Sequence, residues 1–562
     1  MFKLQKVINS FDNQTKKSLT ILSIIMFFIA FLEAIAIGLI IPVISILFNP
    51  DGFTIPFINY NFIYSTQNIL LFFGTLVLFY IFKNIILIIF EKKKFLRANE
   101  IELKVTNIVL KNYINLAHDK LINFSTSEIL RDINSETTIF VRRYLISNIN
   151  LILEMIVIFF IFLVLFYNAP GTTLIVMMIV LFTGSIIYIF NRTKLSEIGE
   201  NRRLFNKKII QIINEIFNSI KEIIVYNKKD EITKIFKENH AKLLENLQLV
   251  SFYTILPRII LEIVLIIILF LIIFINLDIN NPDQLITLIA IFAAAAFRLF
   301  PSVGRIINAL QNIRYSKSST EFILDQISNQ SINKIQQKDK YNFEDSIKLE
   351  NVNFSFGKKD IFINTNIKIF KNDKILLSGE SGSGKTTLLN LILGFLIPQK
   401  GNIFLDDHDI NRSDKINLIS SISYIPQNIY LLDTSIRKNI LFFDTNKEDI
   451  SKLNSTLNLS CSNDFINSLK DGIDTQIGEN GITLSGGQRQ RIGISRAIYQ
   501  NKDIYIFDEA TSALDQETEE KIIMNLVKSD KTVVFISHKE YLKKYFNRKF
   551  IVKDKGVVEE TI

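Results

Sequence analysis

The chain has 562 residues, 48% of them apolar, a mean hydropathy of +0.27 and a formal net charge of +9. Its apolar residues gather in the first half as long Ile/Leu/Phe runs, which excludes a single compact soluble domain and marks a membrane composition. One cysteine, Cys461, excludes an intrachain disulfide framework.

In chain order, Lys3, Lys6, Lys16 and Lys17 precede an apolar run too long for the core of a signal peptide, so a retained first span is expected. Six segments are long enough to cross a bilayer: 18–48, 68–90, 139–168, 171–190, 254–276 and 284–305. Lys92, Lys93, Lys94, Arg97, Lys104, Lys111, Lys120 and Arg131 crowd the segment between the second and third, whereas 49–67, 168–173 and 277–284 contain no Lys or Arg. That asymmetry assigns the basic charge to membrane topology rather than to nucleic acid. The loops 91–138 and 191–253, with both termini, are expected in the cytoplasm and the spans in the inner (plasma) membrane. Apolar spacing such as Ile209, Ile210, Ile213, Ile216 and Phe217 continues the helices beyond the bilayer. The helix ends near 113–128 and 213–230 are the expected transmission points.

Charges within spans are costly and mark function. Lys83, Arg258 and Arg298 fall roughly 22, 27 and 21 Å below the outer boundary at about 1.5 Å per residue, one band in the inner half of the bilayer. Such a cationic belt suits an anionic head group as substrate. The alternative is that the side chains snorkel, as Arg305 is expected to, or that Arg258 pairs with Glu262 one turn later. Glu33 and Glu154 are expected to hydrogen-bond between helices. The uncharged aromatic stretch Phe53 to Tyr64 reads as an interfacial segment or an aromatic belt.

The boundaries expected are a transmembrane domain at 1–315, a polar linker at 316–345 and a soluble α/β domain at 346–562. Gly379-Glu380-Ser381-Gly382-Ser383-Gly384-Lys385-Thr386-Thr387 follows a β-branched strand pattern and opens a helical run. In that setting backbone N–H groups face phosphate oxygens, Lys385 reaches the β/γ-phosphates of ATP and Thr386 holds Mg²⁺. Asp503-Ile-Tyr-Ile-Phe-Asp508-Glu509 is a strand delivering two carboxylates, Asp508 to Mg²⁺ and Glu509 to the attacking water.

With these motifs stand Leu484-Ser485-Gly486-Gly487-Gln488, Gln427 in Tyr424-Ile-Pro-Gln, Ser512-Ala-Leu-Asp515 and His538 in Ile536-Ser-His. In that order they resemble the signature, Q-loop, D-loop and switch histidine of the ATP-binding cassette (ABC) family. The resemblance implies a six-span α-helical domain of the type I/type IV exporter fold fused to a P-loop NTPase domain. It also implies a head-to-tail homodimer in which the Ser485–Gly487 turn of one copy closes over ATP on Lys385 of the other. It assigns catalysis to Glu509, His538, Gln427 and Lys385, metal binding to Thr386, Gln427 and Asp508, and adenine stacking to Phe356, where the family usually has Tyr. Lys539 stands where Arg is more usual. Asp474-Thr-Gln-Ile-Gly-Glu479 resembles the segment by which exporters link the cassette to the membrane helices.

Leu256-Pro-Arg-Ile-Ile-Leu-Glu and Phe297-Arg-Leu-Phe-Pro-Ser-Val-Gly-Arg resemble stretches of the PglK-type flippases for lipid-linked oligosaccharides. That resemblance implies an anionic lipid pyrophosphate contacting Arg258 and Arg298, with Lys83 at an arginine position. A multidrug, peptide or lipid A-like lipid exporter is the alternative on this scaffold. A nucleic-acid-repair ATPase sharing the cassette is excluded by the six spans.

Overall fold

A computed structural model describes residues 13–39, 66–116, 118–275, 282–329, 343–409, 419–444 and 449–561. The aromatic stretch 53–64 and most of the polar run 329–340 lie outside them. The chain divides into two compact units, Met1–Leu116 with Lys120–Lys334, and Ala117–Asp119 with Ile335–Ile562.

The first unit is helical. Its long helices are α1 (Asn13–Gly38), α2 (Thr66–Ile114), α3 (Ile146–Asn168), α4 (Pro170–Asn218), α5 (Lys229–Ile275) and α6 (Pro282–Tyr315). Four helical stretches, 73–114, 126–167, 170–218 and 229–274, are long and apolar enough to cross a membrane. Leu22 and Ile29 of α1, Phe90 of α2, Val157 and Ile161 of α3, Ile268 of α5 and Phe292 of α6 share one buried core. Phe82, Leu181, Phe270 and many other large apolar side chains point outward, a surface that requires hydrocarbon as its solvent.

The run leading into α3 contains two π-helical turns, Asp132–Glu136 and Phe140–Leu145. The first turns carboxylates inward. Asp132 accepts from Arg131 at 2.6 Å and from the Tyr113 hydroxyl at 2.7 Å, while Glu136 accepts from Arg202 at 3.0 Å and from the Ser319 hydroxyl at 2.5 Å. Lys317–Asn329, placed in the linker by its polarity, is a helix (α7). Lys317, Glu321, Asp325 and Ser328 lie on its exposed face, while Ile323 and Ile327 pack beside Val105, Val109 and Phe140 and the buried Ser319 bonds Glu136. Amphipathic periodicity outweighs overall polarity there.

The second unit holds two sheets. A four-stranded antiparallel sheet has the order β2-β1-β4-β5, with β1 Ser346–Phe356, β2 Lys359–Phe370, β4 Lys400–Leu405 and β5 His408–Asp409. A six-stranded sheet has the order β10-β9-β3-β8-β7-β6, with β3 Lys374–Gly379, β6 Ile422–Ile425, β7 Ile504–Asp508, β8 Thr532–Ile536, β9 Arg548–Lys553 and β10 Gly556–Glu560. β6, β7, β8, β3 and β9 are parallel. β7 and β8 are buried along their whole length, as parallel strands covered on both faces must be. α8 (Lys385–Ile392), α9 (Gly486–Gln500) and α10 (Gln516–Val527) complete the parts that carry the site.

Candidate ATP site and transport cavity

The parallel register assembles the nucleotide site. Ile425 is level with Phe507, and Phe507 with Phe535. Two residues on, the chain therefore delivers Gln427 and Glu509 side by side at the carboxyl edge of the sheet, with His538 just past the end of β8, the usual ligand edge of an open α/β sheet. The Gln427 side-chain amide donates to Glu509 Oε2 at 2.7 Å, and His538 Nε2 lies 3.4 Å from Glu509 Oε1. Glu509 itself has φ +50°, a left-handed conformation uncommon outside Gly and Asn that turns its carboxylate off the strand axis.

The P-loop leaves β3, the neighbour of β8. Gly379, Gly382 and Gly384 take φ of +147°, +79° and +112°, and a Cβ on Gly384 would sit 2.8 Å from Ile361 Cγ2. Glycine is therefore required to open α8 at this angle. Lys385 Nζ donates to its own loop carbonyls, Gly379 O at 2.9 Å and Glu380 O at 2.8 Å. Burial lowers the pKa of this lysine, opposed by the nearby Glu509 and Asp508 carboxylates. Burial pushes the Asp508 carboxyl above the usual range, against a 3.2 Å hydrogen bond from the Tyr424 hydroxyl.

Two observations test whether Mg-ATP fits this site. The Ser383 hydroxyl is buried without a partner among the described residues, as a donor awaiting a phosphate oxygen would be. Asp508 is a buried carboxylate short of positive charge, which suits a cation. Mg²⁺, when bound with ATP, would be held by the Asp508 carboxylate, the Thr386 hydroxyl, the Gln427 amide oxygen and substrate phosphates. Thr386 is exposed, and Phe356 presents a half-exposed ring braced edge-on by Phe354 at 5.0 Å. Bound Mg-ATP supplies the electrophilic phosphorus and the charge that polarises it. Around it Glu509 would accept the proton, Gln427 and His538 would orient that carboxylate, and Lys385 with the P-loop amides would face the phosphates.

The signature turn is built separately. Ser485 caps α9, accepting from the Gln488 N–H at 3.3 Å while the Gln488 side chain accepts from the Ser485 N–H at 2.9 Å. The N-terminal amides of α9 are thereby aligned on an anion-binding end. A Cβ on Gly487 would lie 3.0 Å from the Ala513 carbonyl. Gln490, which motif reading passed over, bridges this helix to the D-loop through the Ser512 hydroxyl at 3.1 Å and the Ala513 N–H at 2.9 Å. Lys539 also has a partner. It donates at 2.7 Å to the buried Glu519, which accepts from the Thr511 hydroxyl at 2.5 Å and from the Tyr541 hydroxyl.

Residues 362–512 match the family described as ABC transporter. The chain is 27% identical over 412 residues to the ATP-dependent lipid A-core flippase of Photorhabdus laumondii, covering 71% of this chain and 69% of that one. It is 31% identical over 427 residues to the leukotoxin export ATP-binding protein LtxB of Aggregatibacter actinomycetemcomitans, covering 73% of this chain and 58% of the relative. A solved bacterial Atm1-family ABC exporter with ATP bound superposes with a TM-score of 0.81 over 98% of this chain and 96% of that one, at 18% identity. Residues 362–512 thus carry an ABC transporter domain, and the fold of the whole chain is that of an ABC exporter. The chain couples ATP hydrolysis to transport through a membrane-spanning helical domain.

In the helical unit the expected belt divides. Lys83 Nζ and Arg298 Nε both donate to Glu33 Oε2, each at 3.0 Å, so two cations from α2 and α6 share one buried carboxylate of α1. Arg258 lies apart from them, 83% exposed and paired with Glu262 at 3.2 Å on its own helix. Arg305, expected to snorkel, instead grips Glu154 of α3 through Nε at 2.5 Å and Nη2 at 3.2 Å. The intramembrane glutamates were the signal for both pairings, since a carboxylate buried among apolar helices requires a partner.

Arg258 and Arg305 line a cavity of about 960 Å³ between α3, α5 and α6. Pro257 and Pro301 interrupt the hydrogen bonding of α5 and α6 on its wall. The Tyr253 carbonyl, deprived of its partner by Pro257, accepts from the buried Gln311 side chain of α6 at 2.8 Å.

Proposed function

We propose that this exporter is a flippase that takes an anionic amphiphile, a lipid-linked oligosaccharide or a lipid A-like lipid, from the cytoplasmic leaflet of the inner membrane. In this reading it works as a homodimer with both termini and the cassettes in the cytoplasm. Lys385 and the Ser485–Gly487 turn of opposite copies enclose each Mg-ATP, and Glu509 activates water. The observation that carries the cargo class is the large cavity with two arginines on its wall. Its volume is at the upper end of the range for drug-sized ligands, roughly 300–1,000 Å³, enough for a head group while the lipid chains remain in hydrocarbon. The local likeness of the Arg258 and Arg298 segments to PglK-type flippases favours the pyrophosphate-linked glycan, and the similarity to a lipid A-core flippase keeps to the same chemical class. The similarity to a leukotoxin exporter supports a peptide cargo on the shared scaffold, and the test includes it.

The full chain in lipid nanodiscs is assayed for ATP hydrolysis with a polyprenyl-pyrophosphate oligosaccharide, lipid A or a cationic amphipathic peptide. The anionic lipids are expected to stimulate turnover, and Arg258→Ala and Arg305→Ala to lose that stimulation relative to each variant's own unstimulated rate. Equal stimulation of wild type and variants removes the arginines from cargo recognition. Stimulation by the peptide alone replaces the reading with peptide export.

A further inference from the structure

We infer that one face of α6 reads the saccharide part of the cargo, with Asn308 and Asn312 as its specificity-determining residues. This rests on the proposed lipid-head-group function and sharpens it. Arg298, Ser302, Arg305, Asn308 and Asn312 follow one another at intervals of four, three, three and four residues. At 3.6 residues per turn these positions fall within a sector of about 120° and extend over about 21 Å of helix. They form a polar track on the last span, and Arg305, Asn308 and Asn312 lie on the wall of the 960 Å³ cavity.

The hydrogen bonding along the track decides what it can recognise. Ser302 Oγ, fully buried, accepts from Arg298 Nη1 and from Arg305 Nη2, each at 3.3 Å, and so joins the two arginines. Asn312 Oδ1 accepts from Arg143 Nη1 at 2.7 Å, and Asn308 Oδ1 accepts from the Asn312 amide at 2.6 Å. On the α3 wall, Asn150 Oδ1 accepts from Lys94 Nζ at 2.9 Å. The protein therefore occupies each of these carboxamide oxygens with its own donors. Arg305 Nη1 and the Asn308 and Asn150 amide N–H groups have no protein partner among the described residues. A wall that offers N–H donors selects a ligand rich in oxygen acceptors.

The charge pattern narrows the class further. The two cavity arginines are balanced by Glu262 and Glu154, so the wall as a whole is neutral. A head group recognised by phosphate alone would call for an excess of cations along the whole track. The neutral amide donor of Asn308, whose oxygen is held by the Asn312 amide, instead matches hydroxyl and acetamido oxygens, one end of the track suiting phosphate and the other sugar. A hydrophobic drug seated on this wall would strip these donors of water without pairing them, at a desolvation cost that disfavours it.

The test compares two probes on the full chain in nanodiscs: a polyprenyl-pyrophosphate carrying an oligosaccharide and the same polyprenyl-pyrophosphate without sugar. In wild type the sugar-bearing lipid is expected to stimulate ATPase at a lower half-maximal concentration. Asn308→Leu and Asn312→Leu should raise that concentration about tenfold for the sugar-bearing lipid, the effect of one lost hydrogen bond of about 1.4 kcal/mol, with the bare lipid unmoved. Asn308→Gln, which keeps the amide, should restore most of the difference. Equal shifts for both lipids, or none, overturn the saccharide subsite while leaving the flippase reading intact. If neither lipid stimulates wild type, the flippase reading itself fails.

Discussion

Replacing Lys539 by methionine keeps the length of the side chain and deletes its charge, isolating one contact behind the catalytic edge. Glu519 is fully buried and accepts from Lys539 Nζ at 2.7 Å, from the Thr511 hydroxyl at 2.5 Å and from the Tyr541 hydroxyl. Removing one partner of a buried ion pair costs about 3–5 kcal/mol when both charges are sequestered. The Lys539 side chain is 33% exposed, so part of its attraction is already screened, and two hydroxyl donors remain on the carboxylate. A loss of about 2 kcal/mol follows, or about 4–8 °C for a domain of this size. The assay is residual ATPase of the full chain after timed heating. Because Thr511 lies two residues past Glu509 and Lys539 next to His538, kcat should fall as well, with little change in KM. Lys539→Arg should retain both properties. The double variant Lys539→Met/Glu519→Gln should recover at least half of the lost stability, since a neutral amide tolerates the site without a cation. Inactivation of Lys539→Met at the wild-type temperature would refute the assignment of Glu519 and Lys539 as a coupled pair.

Glu509→Gln keeps the shape beside Gln427 and His538 but removes the proton acceptor, so ATP should still bind while turnover falls at least a hundredfold, the usual scale for a general base; near-normal turnover would sink the assignment. Gly487→Ala places a methyl 3.0 Å from the Ala513 carbonyl, and overpacking of about 1–3 kcal/mol should lower ATPase roughly tenfold without weakening ATP binding to the P-loop of isolated copies, measured with a fluorescent nucleotide. Asp508 is raised by burial, so its favourable share of stability is present below the ordinary Asp value of about 4 and is lost as pH rises through its raised value. In the absence of nucleotide Asp508→Asn should therefore gain heat resistance relative to wild type as pH rises from 4 towards neutrality. The same variant should lose the stabilisation that Mg-ATP confers; a less stable nucleotide-free variant at neutral pH contradicts the buried-charge argument.

Much of this molecule was legible because its chemistry is local in the chain. The P-loop glycines, the two carboxylates ending β7 and the serine opening α9 are each complete within a few residues, since a strand end or helix start sets their geometry. Of the six spans expected, four recur among the described residues as helices long and apolar enough to cross a membrane, because hydrocarbon imposes length and apolarity on a crossing helix. What the tertiary structure decided lies between distant segments. Depth along the bilayer placed Lys83, Arg258 and Arg298 at one level, yet rotation about each helix axis and packing against α1 determine that two of them share Glu33 while the third faces a cavity. Arg305 acquired Glu154, and Lys539 acquired Glu519, through contacts 151 and 20 residues apart. A buried charge reveals in sequence that it needs a partner; only the packing of helices and strands selects which one.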